Sequence, residues 1–229
     1  MRGFNESDKP KGVMNYLPET VAADIKELIF SLNEKKANII GHDWGGAIAW
    51  TMAQKFPDCV DHLIVLNCPI PQLMGKALLT NFRQMRRSWY MLYFQLPFLP
   101  EWGMRRNLKL FFTKALRGWS RNKKAFSNED IMEYVKAFHR PEALTGAINY
   151  YRAGLANFFR RGANKVSRIS ADTLLIWGED DEALGKELTF GMEKYFTGKF
   201  EIKYISDCSH WVQHEQPEVV NQMIIDFLQ

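Results

Sequence analysis

Cysteine is scarce in this sequence, and the few cysteines present do not form the patterns that disulfides or zinc sites require. Cys59, Cys68 and Cys208 are odd in number and include no C-x-x-C pair, which favours buried, unpaired thiols in a reducing compartment. The five histidines are scattered, and none has zinc-site spacing with a cysteine. These absences exclude a disulfide-stapled scaffold and argue against a structural metal.

Long apolar runs are missing as well. No segment approaches the roughly 18 apolar residues that span a bilayer, and the polar start "MRGFNESDKPKG" lacks the apolar core of a signal peptide. The default expectation is a soluble, cytoplasmic protein. Whether a membrane anchor precedes Met1 is left open. A chain of 229 residues, 46% hydrophobic and 24% charged, suits one sizeable domain with an insertion.

Acidic residues are nearly absent from one long segment. Between Lys76 and Lys124 there are twelve Lys or Arg residues and a single acid, Glu101. Tryptophans lie among them: Trp89, Trp102 and Trp119. The segment predicts either a surface for nucleic acid or anionic membrane, or a solvated outer face of helices. We favour the solvated face, since no nucleic-acid motif accompanies the charge.

The remaining chain alternates apolar strands with amphipathic helices. Strands are predicted at "ANII", "HLIVLN", "DTLLIWG" and "KFEIKYIS", and helices at 19 to about 33, at "AIAWTMAQKF" and at "PEVVNQMIIDFL". The first helix is expected to bury one stripe: Val21, Ile25, Leu28, Ile29 and Leu32. In the last helix, Val219, Met223, Ile224 and Phe227 are expected to face one way. This order predicts an α/β fold, a mostly parallel sheet with helices on both faces.

No convincing strand occurs between about Leu73 and Val166, a stretch rich in aromatics, Arg, Lys and Met. We therefore expect residues 69–167 to form an inserted helical cap. Residues 1–68 and 168–229 would then form the α/β core.

The turn Gly41-His42-Asp43-Trp44-Gly45 fits the small-x-nucleophile-x-small pattern of a nucleophile elbow. Asp43 would be the nucleophile, and the backbone N–H of Trp44 would donate to the developing oxyanion at a helix N-terminus. The alternative is that Asp43 is an ordinary N-cap residue, because Asp is a preferred cap.

Two later segments favour catalysis. "LLIWGEDDEAL" ends a strand in a cluster of acids, and "SDCSHWVQHEQP" places His210 just after another strand. These segments follow the elbow in the order acid and then histidine, which is the chain order of an α/β-hydrolase triad. His210 would be the general base. His42 and His214 are expected to be packing or polar-network residues.

Four segments, "RGFNESDKP", "GHDWGG", "WGEDD" and "SHW", resemble the epoxide-hydrolase branch of the α/β-hydrolase superfamily. The resemblance extends along nearly the whole chain, and the insertion is similar to that family's helical cap. The family pattern W-G-x-x-D selects Asp181 as the triad acid, with Asp180 the near miss. Glu179, Asp180 and Glu182 are then expected to be solvated or capping charges.

The family's cap supplies two tyrosines, one in a Y-F-Q context and one just before an arginine. In this sequence "MLYFQLP" implies Tyr93 and "INYYR" implies Tyr151, whereas Tyr90 and Tyr150 are expected to pack. "GHDWGG" alone is shared with haloalkane dehalogenases, and the tyrosine pair is more specific.

The resemblance implies hydrolysis of a small apolar epoxide by water, through an ester on the nucleophile, with no cofactor, metal or nucleic acid. A haloalkane or haloacid dehalogenase with the same triad is one alternative, and a catalytically silent fragment is another. The oligomeric state is left open.

"RGFNESDKP" resembles the family's loop R-G-x-G-x-S, with Asn5 in place of the second glycine. In the family, several strands and an HGxP segment with a second oxyanion donor precede this loop. The resemblance therefore predicts that the chain is a truncated form of a longer hydrolase.

Overall fold

A four-stranded sheet lies at the centre of the computed structural model, which describes residues 1–161 and 167–229. The strands are β1 (Ala37–His42), β2 (Val60–Leu66), β3 (Asp172–Gly178) and β4 (Phe200–Ile205). They run in the order β1-β2-β3-β4, and each neighbouring pair is parallel. The predicted parallel α/β fold is confirmed. The segments that follow the strands all emerge at one edge, where ligands bind in such sheets.

Side chains of the central strands alternate between two cores, because successive residues of a strand point to opposite faces. One core includes helices α1 (Pro18–Ser31) and α2 (Trp44–Lys55), and the other includes α10 (Val212–Glu215) and α11 (Pro217–Leu228). Strand residues of the first core are Leu63, Val65, Leu175 and Trp177. Those of the second are Ile64, Leu66, Leu174 and Ile176. Burial of both faces explains why these strands read as continuous apolar runs.

Helices alone, and no strand, are described between residues 69 and 161. They are α3 (Pro71–Thr80), α4 (Phe82–Arg87), α5 (Trp89–Tyr93), α6 (Leu99–Arg106), α7 (Leu108–Phe112), α8 (Asn128–His139) and α9 (Ala143–Arg161). We call these helices and their connections the cap. The cap has an apolar core of its own, which includes Phe112, Phe126 and Leu144. Residues 162–166 of the predicted cap lie outside the described residues, and the domain boundaries stay a prediction.

Two helices bury stripes that differ from those their periodicity predicts. On α1, Val21 and Ile29 are buried, but Leu28 and Leu32 are exposed, so the prediction for these two leucines was wrong. The helix packs mainly on α2, and that contact covers only part of its apolar face. On α11, Val219 is exposed and Val220 is buried in its place.

Candidate active site

Asp43 lies between β1 and α2 in a turn with a strained backbone. Its φ of 50° and ψ of −121° form a combination that residues with a side chain rarely adopt. Gly41 permits the turn, because a Cβ at this position would lie 2.4 Å from the carbonyl oxygen of Gly45. The elbow geometry expected from the glycine spacing is therefore present.

The carboxylate of Asp43 faces a histidine. Asp43 is the N-cap residue of α2, but its side chain makes no capping hydrogen bond. Its Oδ2 lies instead 3.2 Å from Nε2 of His210. Asp43 thus occupies the N-cap position, while its carboxylate pairs with His210 and does not cap the helix.

His210 bridges two carboxylates. Its Nδ1 lies 2.7 Å from Oδ2 of Asp181, on the side away from Asp43. Asp181 is buried and accepts further hydrogen bonds from the Asn67 side chain at 2.7 Å and from the Ala183 N–H at 2.8 Å. Asp43, Asn67, Asp181 and His210 follow β1, β2, β3 and β4 respectively, so each strand contributes one residue to the cluster.

The neighbouring acids lie outside this cluster. Asp180 forms an ion pair with Arg121 at 3.4 Å, and Glu179 pairs with Lys186. Asp181 thus differs from the acids beside it in the sequence, because it alone of these is buried and hydrogen-bonded within the cluster.

Charges within the cluster shift the pKa values of both Asp43 and His210. Burial lowers the pKa of His210, but the carboxylates of Asp181 and Asp43 outweigh it and raise this pKa to about 10. Burial raises the pKa of Asp43, but the hydrogen bond and charge of His210 outweigh it and lower this pKa to about 2. The backbone N–H of Trp44 also lowers the pKa of Asp43. Near neutral pH the pair is therefore an imidazolium beside a carboxylate.

A cavity of about 360 Å³ opens above Asp43. Its lining is mainly apolar and includes Met74, Leu78, Leu155 and Leu184. Helix α9 provides one wall with residues at helical spacing: Tyr151, Gly154, Leu155 and Phe158. The Trp44 indole fits closely against Gly154, where a Cβ would approach it to 2.9 Å. Such an enclosure suits a small apolar molecule.

Two tyrosines of the cap line this cavity, and one of them differs from the sequence-based choice. Tyr151 is present as expected, and its ring lies 5.8 Å from that of Tyr90, nearly perpendicular to it. Tyr93 is not among the described lining residues, and its hydroxyl donates to the Leu99 carbonyl oxygen at 3.4 Å. This corrects the choice of Tyr93: α5 turns Tyr90 inward against Tyr151 and directs Tyr93 towards α6.

Burial keeps the two cavity tyrosines protonated. It raises the pKa of Tyr151, and the charge of Asp43 raises it further. Burial likewise raises the pKa of Tyr90 well above its ordinary value, and the neighbouring Tyr151 adds to the effect. Both hydroxyls are therefore available as hydrogen-bond donors.

Comparisons with known proteins agree with this site. A family model for the α/β hydrolase fold matches residues 1–217. The chain is 38% identical over 229 residues to the AB hydrolase superfamily protein YfhM of Bacillus subtilis (strain 168), covering 99% of this chain and 78% of that protein. It is 37% identical over 232 residues to Epoxide hydrolase 4 of Homo sapiens. A solved structure from the novel epoxide hydrolases of the α/β-hydrolase superfamily found in metagenomes from hot environments is 31% identical with a TM-score of 0.85, and the match covers 100% of this chain and 79% of that one. The chain belongs to the epoxide-hydrolase branch of the α/β-hydrolase superfamily.

A solved structure supports the same membership of the epoxide-hydrolase branch. The Bacillus megaterium epoxide hydrolase in complex with an inhibitor superposes with a TM-score of 0.84 at 27% identity, covering 99% of this chain and 81% of that one. The match to Epoxide hydrolase 4 covers 100% of this chain but 63% of the human protein. The chain thus spans less than two thirds of that relative's length.

His42, the residue before Asp43, supports the backbone of His210. Its Nε2 lies 2.8 Å from the His210 carbonyl oxygen. Burial lowers the pKa of His42 to about 4, and the charge of His210 lowers it as well. His42 is therefore neutral near pH 7, and its Nε2–H donates to that carbonyl.

Glu215 joins the histidine loop of the hydrolase to its cap, and sequence reasoning did not single it out. The buried carboxylate accepts from the backbone N–H groups of Arg121 at 2.7 Å and Asn122 at 2.9 Å. Its other oxygen accepts from the Ser209 N–H at 3.2 Å. No local sequence signal marks this role, since the cap partners lie more than ninety residues away.

Among the described residues, no group of three or more His, Cys, Asp or Glu is placed to hold a metal ion. Within the same residues, no helix is long and apolar enough to cross a membrane. All three cysteines are buried and unpaired, as predicted.

Removing the charge of Asp43 tests the electrostatics of this pair. In Asp43→Asn we expect the pKa of His210 to fall below the native value of about 10, because one of the two carboxylates that raise it is lost. The measurement is a pH titration of the His210 ring by NMR with labelled histidine. Asp180→Asn is the matched control and should leave the titration unchanged. An unaltered His210 pKa in Asp43→Asn would contradict the ion pair.

Proposed function

We propose that this hydrolase opens an epoxide to a vicinal diol through a covalent ester on Asp43. The observation that carries the proposal is the 3.2 Å approach of Asp43 Oδ2 to His210 Nε2 beneath a cavity that Tyr90 and Tyr151 also line. The relative named Epoxide hydrolase 4 supports the reaction class.

In the first half-reaction, an Asp43 oxygen attacks a ring carbon and the carbon–oxygen bond of the epoxide breaks. The ring oxygen needs hydrogen-bond donors as negative charge develops on it. Tyr90 and Tyr151 serve as those donors, because both line the cavity and burial keeps both protonated. The ring oxygen then takes a proton from one of these tyrosines, which regains a proton as His210 loses one in the next step, and the alcohol ester remains on Asp43.

In the second half-reaction, His210 acts as the base. Esterification removes the charge of Asp43, which is one of the groups that raise the pKa of His210. His210 therefore loses its proton more readily, which balances the proton that the ring oxygen gained. Neutral His210 takes a proton from water, the hydroxide attacks the ester carbonyl carbon, and the Trp44 N–H stabilises the oxyanion. Asp181 stabilises the imidazolium. The tetrahedral intermediate collapses with cleavage of the ester C–O bond, the released alkoxide takes the proton of the new Asp43 carboxylic acid, and the diol leaves.

Product analysis separates this reaction from its alternatives. The purified chain is incubated with styrene oxide and, separately, with a bromoalkane, and diol and bromide are quantified. Diol without bromide supports the proposal. Bromide without diol would indicate a dehalogenase, whose leaving halide needs no proton donor. Absence of both products would contradict the proposal and indicate a catalytically silent protein.

Phenylalanine variants test the tyrosine pair. Tyr90→Phe and Tyr151→Phe should each lower the initial rate of diol formation by about 10²-fold, because each removes one donor to the ring oxygen. Tyr93→Phe is the matched control from the same helix, and its rate should stay within about twofold of the native rate, since the Tyr93 hydroxyl contacts Leu99. A slow Tyr93→Phe beside an unchanged Tyr90→Phe would reverse the assignment.

A further inference from the structure

The cap carries large apolar side chains that face solvent rather than a core. Phe82 on α4 is 79% exposed and Trp89 on α5 is 64% exposed. Met85 and Leu92 are exposed as well and continue the same spacing of three or four residues. A row of this size is unusual on a protein surface that contacts only water.

Exposed side chains at the start of α6 extend this row. Phe98 is 84% exposed and Trp102 is 56% exposed. Tyr93 connects the two groups, since its ring lies 6.3 Å from that of Trp89 and its hydroxyl bonds the Leu99 carbonyl oxygen. We call the combined surface the apolar cap face: Phe82, Met85, Trp89, Leu92, Phe98 and Trp102.

Cations surround the apolar cap face. Arg83, Arg86, Arg105 and Arg106 are exposed and form no ion pair with any described residue. Arg106 lies 4.4 Å from the ring of Trp102, within the face itself. The only acid of the segment, Glu101, is paired with Arg152 at 2.7 Å and largely buried. Within the described residues, these four arginines of α4 and α6 thus have no acidic partner.

The same surface lies at the mouth of the cavity. Leu79 and Leu92 line the cavity, yet they are 68% and 70% exposed. An apolar molecule that leaves an apolar phase next to these leucines would enter the cavity without crossing water.

We propose that the apolar cap face docks on an anionic lipid bilayer. Exposed Trp, Phe and Leu insert at the boundary of headgroups and acyl chains, and the arginines bind the negative headgroups. A second copy of this chain is a poorer occupant, because it would bring arginines against arginines. A nucleic-acid surface would place phosphates, and not apolar side chains, at the centre of the contact.

Vesicle flotation tests the docking and needs no catalysis, so its outcome is independent of the proposed reaction. The native chain is mixed with vesicles of phosphatidylcholine alone or with added phosphatidylserine. We expect binding to the anionic vesicles only. Phe82→Ser/Phe98→Ser and Arg83→Gln/Arg86→Gln should each weaken it about tenfold or more. None of these residues lines the cavity.

Matched controls come from residues outside the cap. Leu28→Ser/Leu32→Ser removes two exposed leucines of α1, and Lys11→Gln/Lys35→Gln removes two exposed cations; both should bind like the native chain. Failure of the native chain to bind anionic vesicles would overturn the proposal, as would equal binding to neutral vesicles. Sedimentation of a native dimer that Phe82→Ser/Phe98→Ser dissociates would instead assign the face to a second copy.

Discussion

Asp43→Asn should abolish diol formation, with a loss in turnover of roughly 10⁴- to 10⁶-fold, the range seen when a nucleophile is removed from a triad. The amide keeps the size and shape of the carboxylate, so the strained turn at φ 50° has no new clash to accommodate. What disappears is the anionic oxygen that attacks the ring carbon in the proposed mechanism. Initial rates of diol formation, with circular dichroism to verify folding, measure the effect.

Asp180→Asn is the matched control for this prediction. It removes a carboxylate at the same edge of the sheet, but Asp180 pairs with Arg121 and not with His210. Its activity should stay within about threefold of the native value. A folded Asp43→Asn variant that retained more than a tenth of the activity would rule out Asp43 as the nucleophile.

His210→Gln should separate the two half-reactions. Attack by Asp43 needs no base, so the ester should form, whereas its hydrolysis should slow by about 10⁴-fold or more. After mixing with substrate, intact-protein mass spectrometry should show the chain heavier by one substrate molecule. The native chain should show no such adduct at steady state if hydrolysis keeps pace with alkylation.

Two further variants check where the adduct lies. Asp43→Asn/His210→Gln should gain no mass, because the attacking oxygen is gone. His62→Gln changes a histidine on β2 that contacts Asn38 at the far end of the sheet, and should turn over normally. An adduct in the double variant would place the ester on another residue.

Much of the core was predictable because its signals are local. Continuous apolar runs predicted β2 and β3. Both faces of these strands are buried, so apolar and polar residues do not alternate along them. Gly41 marked the elbow, since the clash that it avoids is with Gly45 only four residues away. Chain order and the carboxyl-edge rule for parallel strands predicted an acid of the cluster after β3 near His210, and the family resemblance selected Asp181 among those acids.

The features that sequence reasoning missed depend on distant contacts. Tyr90 and Tyr93 are three residues apart on a short helix, and nothing local distinguishes them. The ring of Tyr90 packs against that of Tyr151, which lies sixty-one residues further along the chain. The hydroxyl of Tyr93 instead donates a hydrogen bond to the Leu99 carbonyl oxygen. Leu28 and Leu32 have helical spacing as good as that of Ile29, but α2 covers only Ile29's side of the helix.

Glu215 couples the cap to the loop that carries His210. It is bonded to the cap backbone at Arg121 and Asn122 and to Ser209, the residue before His210. Pulling these segments apart would strand a buried carboxylate without donors, at a cost of about 3 kcal/mol or more. A displacement of this part of the cap is therefore linked energetically to the position of the imidazole.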